Sequence, residues 1–305
     1  MIVVGGEALV DLIIDRDGGV TAVLGGGPFN TARAIARLGS PVSFLGSLSR
    51  DRFGALLLQR LVADGVDDRL VQFTDLPTTM AAAELDEHGS ARYRFYAAET
   101  SAPALQPASL PPDLTALHVG TLGLVLEPMA TNLEATLAGV GVDAFVVIDA
   151  NCRPAATPDS GAFTARLLRL MSRADVVKAS TEDLEVLGSG DADAGLELLR
   201  SRSAAVVLHT DGARRVSVHG SEGTVEVAVP RVDVVDTIGA GDAFGGAFVA
   251  WWDQAGLGRV DLADLDRVAH AVTAAVEVAS LNCMRVGADP PSRADLGDRW
   301  RPARR

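Results

Sequence analysis

Short apolar runs rich in Val and Ile recur along the chain, each closed by Gly, Asp, Asn or Ser: 2–6 (IVVGG), 42–47 (VSFLGS), 116–120 (ALHVG), 145–151 (FVVIDAN), 175–180 (DVVKAS) and 205–212 (AVVLHTDG). They lack the polar alternation of a half-exposed strand, so they read as strands buried on both faces. Between them lie stretches with helical spacing of apolar residues, at 28–38, 54–63, 128–138, 162–172, 181–187 and 195–200. Strands alternating with helices predict an α/β protein: a mainly parallel central sheet, helices on both faces and right-handed crossovers. A chain of 305 residues fits one such domain, 1–305, with a small embellishment.

Two segments, 12–24 and 78–96, break the rhythm: each holds alternating arms around a polar turn, DRDGG at 15–19 and DEHGS at 86–90. Arms of that kind read as β-hairpins, and they predict a small second sheet standing off the main one.

The net charge of −13 argues against a sequence-independent grip on nucleic acid or anionic membrane, which needs clustered Lys and Arg. Of the 27 basic residues only Lys178 is lysine, so a mechanism needing two lysines is excluded. Cys152 and Cys283 are too few for a disulfide framework and are not spaced as a metal pair, which suits a reducing compartment. MIVVGGEALVDLII carries no basic leader before its apolar residues, and no run of about 20 apolar residues occurs, so the expected location is cytoplasmic.

The richest stretch is VDVVDTIGAGDAFGGAFVAWW, 232–252. Val232 to Asp236 reads as a buried strand, 243–252 as a helix, and Thr237, Ile238, Gly239, Ala240, Gly241 and Asp242 as the turn between them. Small residues let several backbone N–H groups face one point, and the helix start adds partial positive charge, which together make an anion hole without lysine. Asp242 beside it is expected to be held ionised by the same field. A carboxylate next to an anion hole suits phosphoryl transfer: the hole takes the charge of the transferring group and the carboxylate receives the acceptor's proton. Taken alone, GAGD reads first as a packing turn in which Asp242 only caps the helix. Glycines at 239, 241 and 245 miss the G-x-G-x-x-G spacing, and G-x-x-x-x-G-K-[ST], H-E-x-x-H and G-x-S-x-G are absent. Dinucleotide folds, P-loop enzymes and the commonest hydrolases are thereby set aside.

DTIGAGDAFGGAF resembles the C-terminal signature of ribokinase-like (pfkB-type) carbohydrate kinases, and GGGPFNTARAIARLGSPVSFLGSLSRDRFG, 25–54, resembles their N-terminal one. The likeness runs from GGEALVD at Gly5 to RVGADPP ending at Pro291. It implies a ribokinase-like three-layer α/β/α sandwich with a β-sheet lid, into which the two hairpin segments fall, and a homodimer made through that lid. It further implies transfer of the ATP γ-phosphate to a sugar or nucleoside hydroxymethyl group, with Mg²⁺ and a K⁺ ion.

Residue by residue, the resemblance makes Asp242 the base and Gly239, Ala240 and Gly241 the anion hole. Asp11, Gly26, Gly27 and Asn30 match sugar-binding positions, and a carboxylate and an amide suit vicinal diols. Asn30 reads equally well as a helix cap. Phe95 and Tyr96 would cover the sugar from the lid. Asn151 and Arg153 of DANCRP fall near the phosphates. Thr210, Gly212, Thr237 and Asn282 match the nucleotide side, Asn282 as part of the adenine wall. In place of the N-x-x-E of many relatives stand Ser180, Thr181, Glu182 and Asp183, so Mg²⁺ would be served by Asp183 or Glu182. Asp236, Ile238 and the 283–288 segment, with Ala288, match the monovalent-ion cage. The wording of GEALVD, LHVGTLGLVLEP, VKAS and RVGADPP leans to fructokinases. Ala97, where fructokinases often place Arg, weighs against fructose. Ribose, 2-keto-3-deoxy-gluconate, nucleosides or a non-catalytic sensor stay open.

Overall fold

The computed structural model describes residues 1–85, 91–157, 159–202 and 205–302; the turn expected at 86–90 lies outside them. In chain order the elements are β1 (Ile2–Gly5), β2 (Leu9–Ile14), β3 (Val20–Gly25), α1 (Gly27–Arg37), β4 (Val42–Ser49), α2 (Arg52–Ala63), β5 (Val71–Thr74), β6 (Met80–Leu85), β7 (Ala91–Tyr96) and β8 (Ala116–Gly120). They continue with α3 (Met129–Ala138), β9 (Phe145–Asp149), α4 (Ser160–Leu170), β10 (Val176–Ser180), α5 (Thr181–Leu187), α6 (Ala192–Arg200), β11 (Val206–Asp211), β12 (Arg215–Gly220), β13 (Gly223–Ala228), α7 (Ala240–Gln254), α8 (Leu265–Cys283) and α9 (Arg293–Leu296).

Nine strands form the main sheet, ordered β13-β12-β11-β10-β9-β8-β1-β4-β5. It is parallel except for β12 and β13, which complete one edge as an antiparallel hairpin. Strand alternation sends successive side chains to opposite faces. Ile2 and Val4 join one apolar cluster with residues of α1, α7 and α8, while Val3 joins a second with residues of α3, α4 and α5. Helices on both faces explain why these strands carry no polar stripe. Within the first cluster Phe145 stacks on Trp252, and Trp252 on Phe248, both with centroids 5.8 Å apart. Complete burial of each ring contributes about 1.5–3 kcal/mol and fixes α7 against the sheet.

The order reverses at β1, whose neighbours are β8 on one side and β4 on the other. Loops leaving the carboxyl ends of strands at such a switch point diverge and leave a crevice. Above it stands the second sheet, ordered β3-β2-β6-β7, at the positions expected for the lid.

One expected strand is absent. Residues 232–236 form no strand, and Val235 is 60% exposed; backbone N–H groups of Val235 and Asp236 donate to Cys283 O instead. The apolar run that suggested a strand lines an open cleft rather than a core. The hairpin β12–β13 and the short β5 also fall outside the strands expected, although RVSVHG and GTVEVA alternate polar and apolar residues.

Candidate active site

The turn before α7 is built by Gly239 at φ +75°, a left-handed conformation that costs glycine little. A Cβ there would meet Ala288 Cβ at 2.5 Å. Ala240 N–H donates to Thr237 O at 3.2 Å, and regular helix bonding begins with Ala243 N–H to Gly239 O at 2.8 Å. Ala240 is therefore committed inside the turn and is not a free donor of the hole as the resemblance implied. The N–H groups of Gly241 and Asp242 fall in the first turn, where a helix supplies no internal acceptor, and no side chain caps it. The site is not lysine-free: Lys178 Nζ lies 3.3 Å from the position of a Cβ on Gly241 and holds Asp149 through bonds of 3.0 and 2.8 Å. Burial disfavours its charge, but Asp149, Asp183 and Asp242 outweigh that and raise its pKa. His118, buried beside it, is driven down to about 3 by desolvation and by Lys178, so it is neutral and no proton shuttle at pH 7.

Asn30 Nδ2 donates to Asp242 Oδ2 at 2.9 Å. Asn30 lies inside α1 and does not cap it; Gly26 holds that position. Its Oδ1 accepts from Arg33 Nη1 at 3.4 Å, so both ends of the amide are engaged by protein and fix the Asp242 carboxylate. The helix start does not dominate Asp242: burial pushes its carboxyl up to about 6, against the Asn30 bond, with Asp149 adding to the rise and Lys178 and Arg153 opposing it. It is still mainly ionised at neutral pH.

Glu7, which the sequence reading passed over, lies directly after β1 and is 2% exposed. It accepts from Thr121 Oγ1, from Gly27 N–H at 3.2 Å and from Gly123 N–H at 3.0 Å. It thus ties the start of α1 to the loop after β8, across the switch point. Burial raises it to about 7, Thr121 opposing and Asp242 adding. The available signal was an acid flanked by residues that bury, in GGEALVD. Gly27 is required for closeness: a Cβ would lie 2.6 Å from Thr121 Cγ2 and 3.3 Å from Asp242 Oδ1. At Gly26 it would meet Glu7 O at 2.7 Å.

Asp11 reaches the site from the lid. Its carboxyl is raised to about 6 by burial, with Arg153 opposing. Strand pairing places Asp11, Ala81, Phe95 and, two residues on, Tyr93 on one face of the lid. Phe95 packs there with Leu9, Leu122 and Ala156, while Tyr93 stacks on it with centroids 6.1 Å apart. Tyr96 pairs with Met80 on the opposite face and is 54% exposed. Tyr96 therefore does not share the face of Asp11, as the expected sugar cover would; Tyr93 and Phe95 do, by the period of two.

A cavity of about 1100 Å³ brings together Asn151, Arg153, Glu182, Asp183, Thr210, Gly212, Thr237, Ala240 and Gly241. Val276, Ala279, Ser280 and Cys283 of α8 line its apolar side. Asn282 does not: it is fully buried and donates from Nδ2 to Ile238 O at 2.9 Å, because its helical position turns it into the protein.

Asp183 Oδ1 accepts from Cys152 N–H at 2.6 Å and Oδ2 from Ser180 N–H at 2.8 Å, closing a capping box on α5. Of the two carboxylates expected to serve a cation, Glu182 is the one exposed on the cavity wall, where Glu185 also lies. Among the described residues no three His, Cys, Asp or Glu gather as a metal-holding group. The residues of the expected monovalent cage fit less well. Ile238 O and Ala288 O accept from Asn282 and Arg33, and Asp236 takes Ile238 N–H at 2.9 Å and Gly287 N–H at 2.8 Å.

A family profile described as pfkB family carbohydrate kinase matches residues 1–295. The chain is 36% identical over 259 residues, 82% of its length and 79% of the relative's, to a fructokinase of Rhizobium leguminosarum bv. trifolii. It superposes with TM-score 0.86 and 28% identity on a fructokinase from Xylella fastidiosa with bound ATP, covering 94% of this chain and 93% of that one. A double-mutant fructokinase from Vibrio cholerae O395, in a form with fructose, ADP and potassium ion, gives TM-score 0.86 and 27% identity over 98% of each chain.

Proposed function

Because this chain belongs to the pfkB family of carbohydrate kinases, we propose that it transfers the γ-phosphate of ATP to a hydroxymethyl group of a small sugar, a fructose-like ketose first among the candidates. The fructokinase relatives support the sugar class. The observation that carries the chemistry is the carboxylate of Asp242, aimed by Asn30 at 2.9 Å and set in the same helix turn as unbonded backbone N–H groups.

In this reading Asp11 on the lid and Gly26 and Gly27 at the start of α1 receive the sugar, with Tyr93 and Phe95 covering it. The acceptor hydroxyl lies against Asp242, which orients it and takes its proton as the new P–O bond forms. The N–H groups of Gly241 and Asp242 and the charges of Lys178 and Arg153 balance the charge of the transferring phosphoryl group. The nucleotide occupies the 1100 Å³ cavity, with Thr210, Gly212 and Thr237 on its polar side and α8 on its apolar side. Mg²⁺ bound with ATP supplies phosphate charge neutralisation, and Glu182 is the residue that would hold it. The outward lid face that carries Tyr96 and Val20 would be covered in a homodimer made through the lid.

The test is ADP release across hexoses, pentoses, 2-keto-3-deoxy acids and nucleosides. Fructose should give the highest kcat/KM. A pentose, keto-acid or nucleoside winning would correct the substrate, and turnover on none would leave a sugar- or nucleotide-binding protein without catalysis.

A further inference from the structure

The loop that the resemblance assigns to a monovalent cation is already engaged by the protein's own donors. A cation cage needs several oxygens with lone pairs to spare converging on one point, and each N–H accepted leaves a carbonyl with one lone pair of its two. Here Ile238 O accepts from Asn282 Nδ2 at 2.9 Å, Ala288 O from Arg33 Nη1 at 3.0 Å, and Cys283 O from the N–H groups of Val235 and Asp236 at 2.8 and 3.1 Å. Each carboxylate oxygen of Asp236 accepts one N–H as well, from Ile238 and Gly287, and among the described residues Asn282 Oδ1 is the buried side-chain oxygen here without a partner.

One of these donors is a fixed positive charge. Arg33 is buried on α1, its guanidinium cannot lose its proton at any working pH, and Nε is anchored on Asp64 at 2.6 Å. Its position links both halves of the site: Nη1 reaches Asn30, the partner of Asp242, and Ala288, which packs against Gly239 of the turn. Arg37 on the same helix pairs with Asp289 at 3.3 Å, so α1 grips the 287–289 loop at two points. We propose that Arg33, with Asn282, takes the place of a monovalent cation behind the anion-binding turn, so that this chain needs no K⁺ for phosphoryl transfer. Arg33 is a positioning residue in this role, since it acts through Ala288 and Asn30.

The inference rests on the kinase reading only for its activity arm. Wild-type protein is exchanged into tetramethylammonium chloride, and kcat with fructose and ATP and the melting midpoint are measured with and without KCl at matched ionic strength. The expected result is a change in kcat below about twofold and coincident midpoints, since a site that does not bind an ion gains no stability from it. A tenfold activation by KCl, or a midpoint raised by several degrees, would overturn the proposal while leaving the kinase reading intact. No turnover on fructose in either salt would send the kinase reading back to the acceptor panel, and the midpoints would still decide the cation question. Arg33→Ala should lower kcat about tenfold or more, with partial recovery in millimolar guanidinium. If that variant keeps wild-type kcat and midpoint, Arg33 does not hold the loop and the proposal fails.

Discussion

Asp242 and Glu7 are carboxyl groups drawn out of water within one crevice, and burial moves both upward, to about 6 and about 7. For Asp242 as base, kcat/KM should fall as pH drops through about 6, because the protonated acid cannot accept the hydroxyl's proton. A profile flat down to pH 5 would remove Asp242 from that role. Asp242→Asn should lower kcat by about 10³ while sugar affinity, read by calorimetry, stays within about tenfold. For Glu7 the sign runs the other way on stability. Its raised pKa means the folded state binds the extra proton between 4.5 and about 7, so its contribution is present below 4.5 and lost as pH rises through about 7. Glu7→Gln must also turn an N–H₂ toward a donor it now accepts from, at a cost of about 1–3 kcal/mol. Glu7→Gln should therefore melt below wild type, by a margin that narrows as pH rises from 4.5 to about 7. A constant gap would mean that Glu7 does not change protonation there.

At the scale of elements, the site depends on how closely α1 and α7 approach. A Cβ on Gly246 would meet Ala34 Cβ and Thr31 O, each at 2.9 Å. Those contacts let Asn30 on one helix reach Asp242 on the other. Gly246→Val should wedge the helices apart, costing about 1–3 kcal/mol of stability. It should lower kcat more than it raises the KM for ATP, because most of the wall of the cavity proposed for the nucleotide comes from outside α1 and α7: residues 151–154, 180–186, 210–213, 229–234 and α8. Equal kcat in a folded Gly246→Val protein would show that the alignment tolerates the shift.

At the scale of the whole molecule, the lid carries Asp11, Tyr93 and Phe95 to a crevice whose remaining groups come from the main sheet and its helices. Its β3 edge is exposed along the first three residues. Pairing of two lids would cover Tyr96 and Val20, so light scattering after size exclusion should give twice 31.7 kDa. A monomer mass at micromolar protein, with full activity, would rule out a lid dimer as part of the working enzyme. No helix among the described residues is long and apolar enough to cross a membrane.

The periodicities legible in the chain determined the three-layer sheet and the lid positions, since burial on both faces and hairpin alternation are written in local residue order. The small-residue turn before α7, with Asp242 beside it, was likewise legible in local order. Tertiary structure alone decided which polar groups are spent on protein and which stay open. Asp183 caps a helix, Asn282 turns inward, and Tyr96 lies on the outer face by one step of the strand period. Glu7, Lys178 and Arg33 gain their roles from partners tens to hundreds of residues away. Such pairings depend on how sheet and helices pack, and desolvation acts only once they do, so neither has a signature in local sequence.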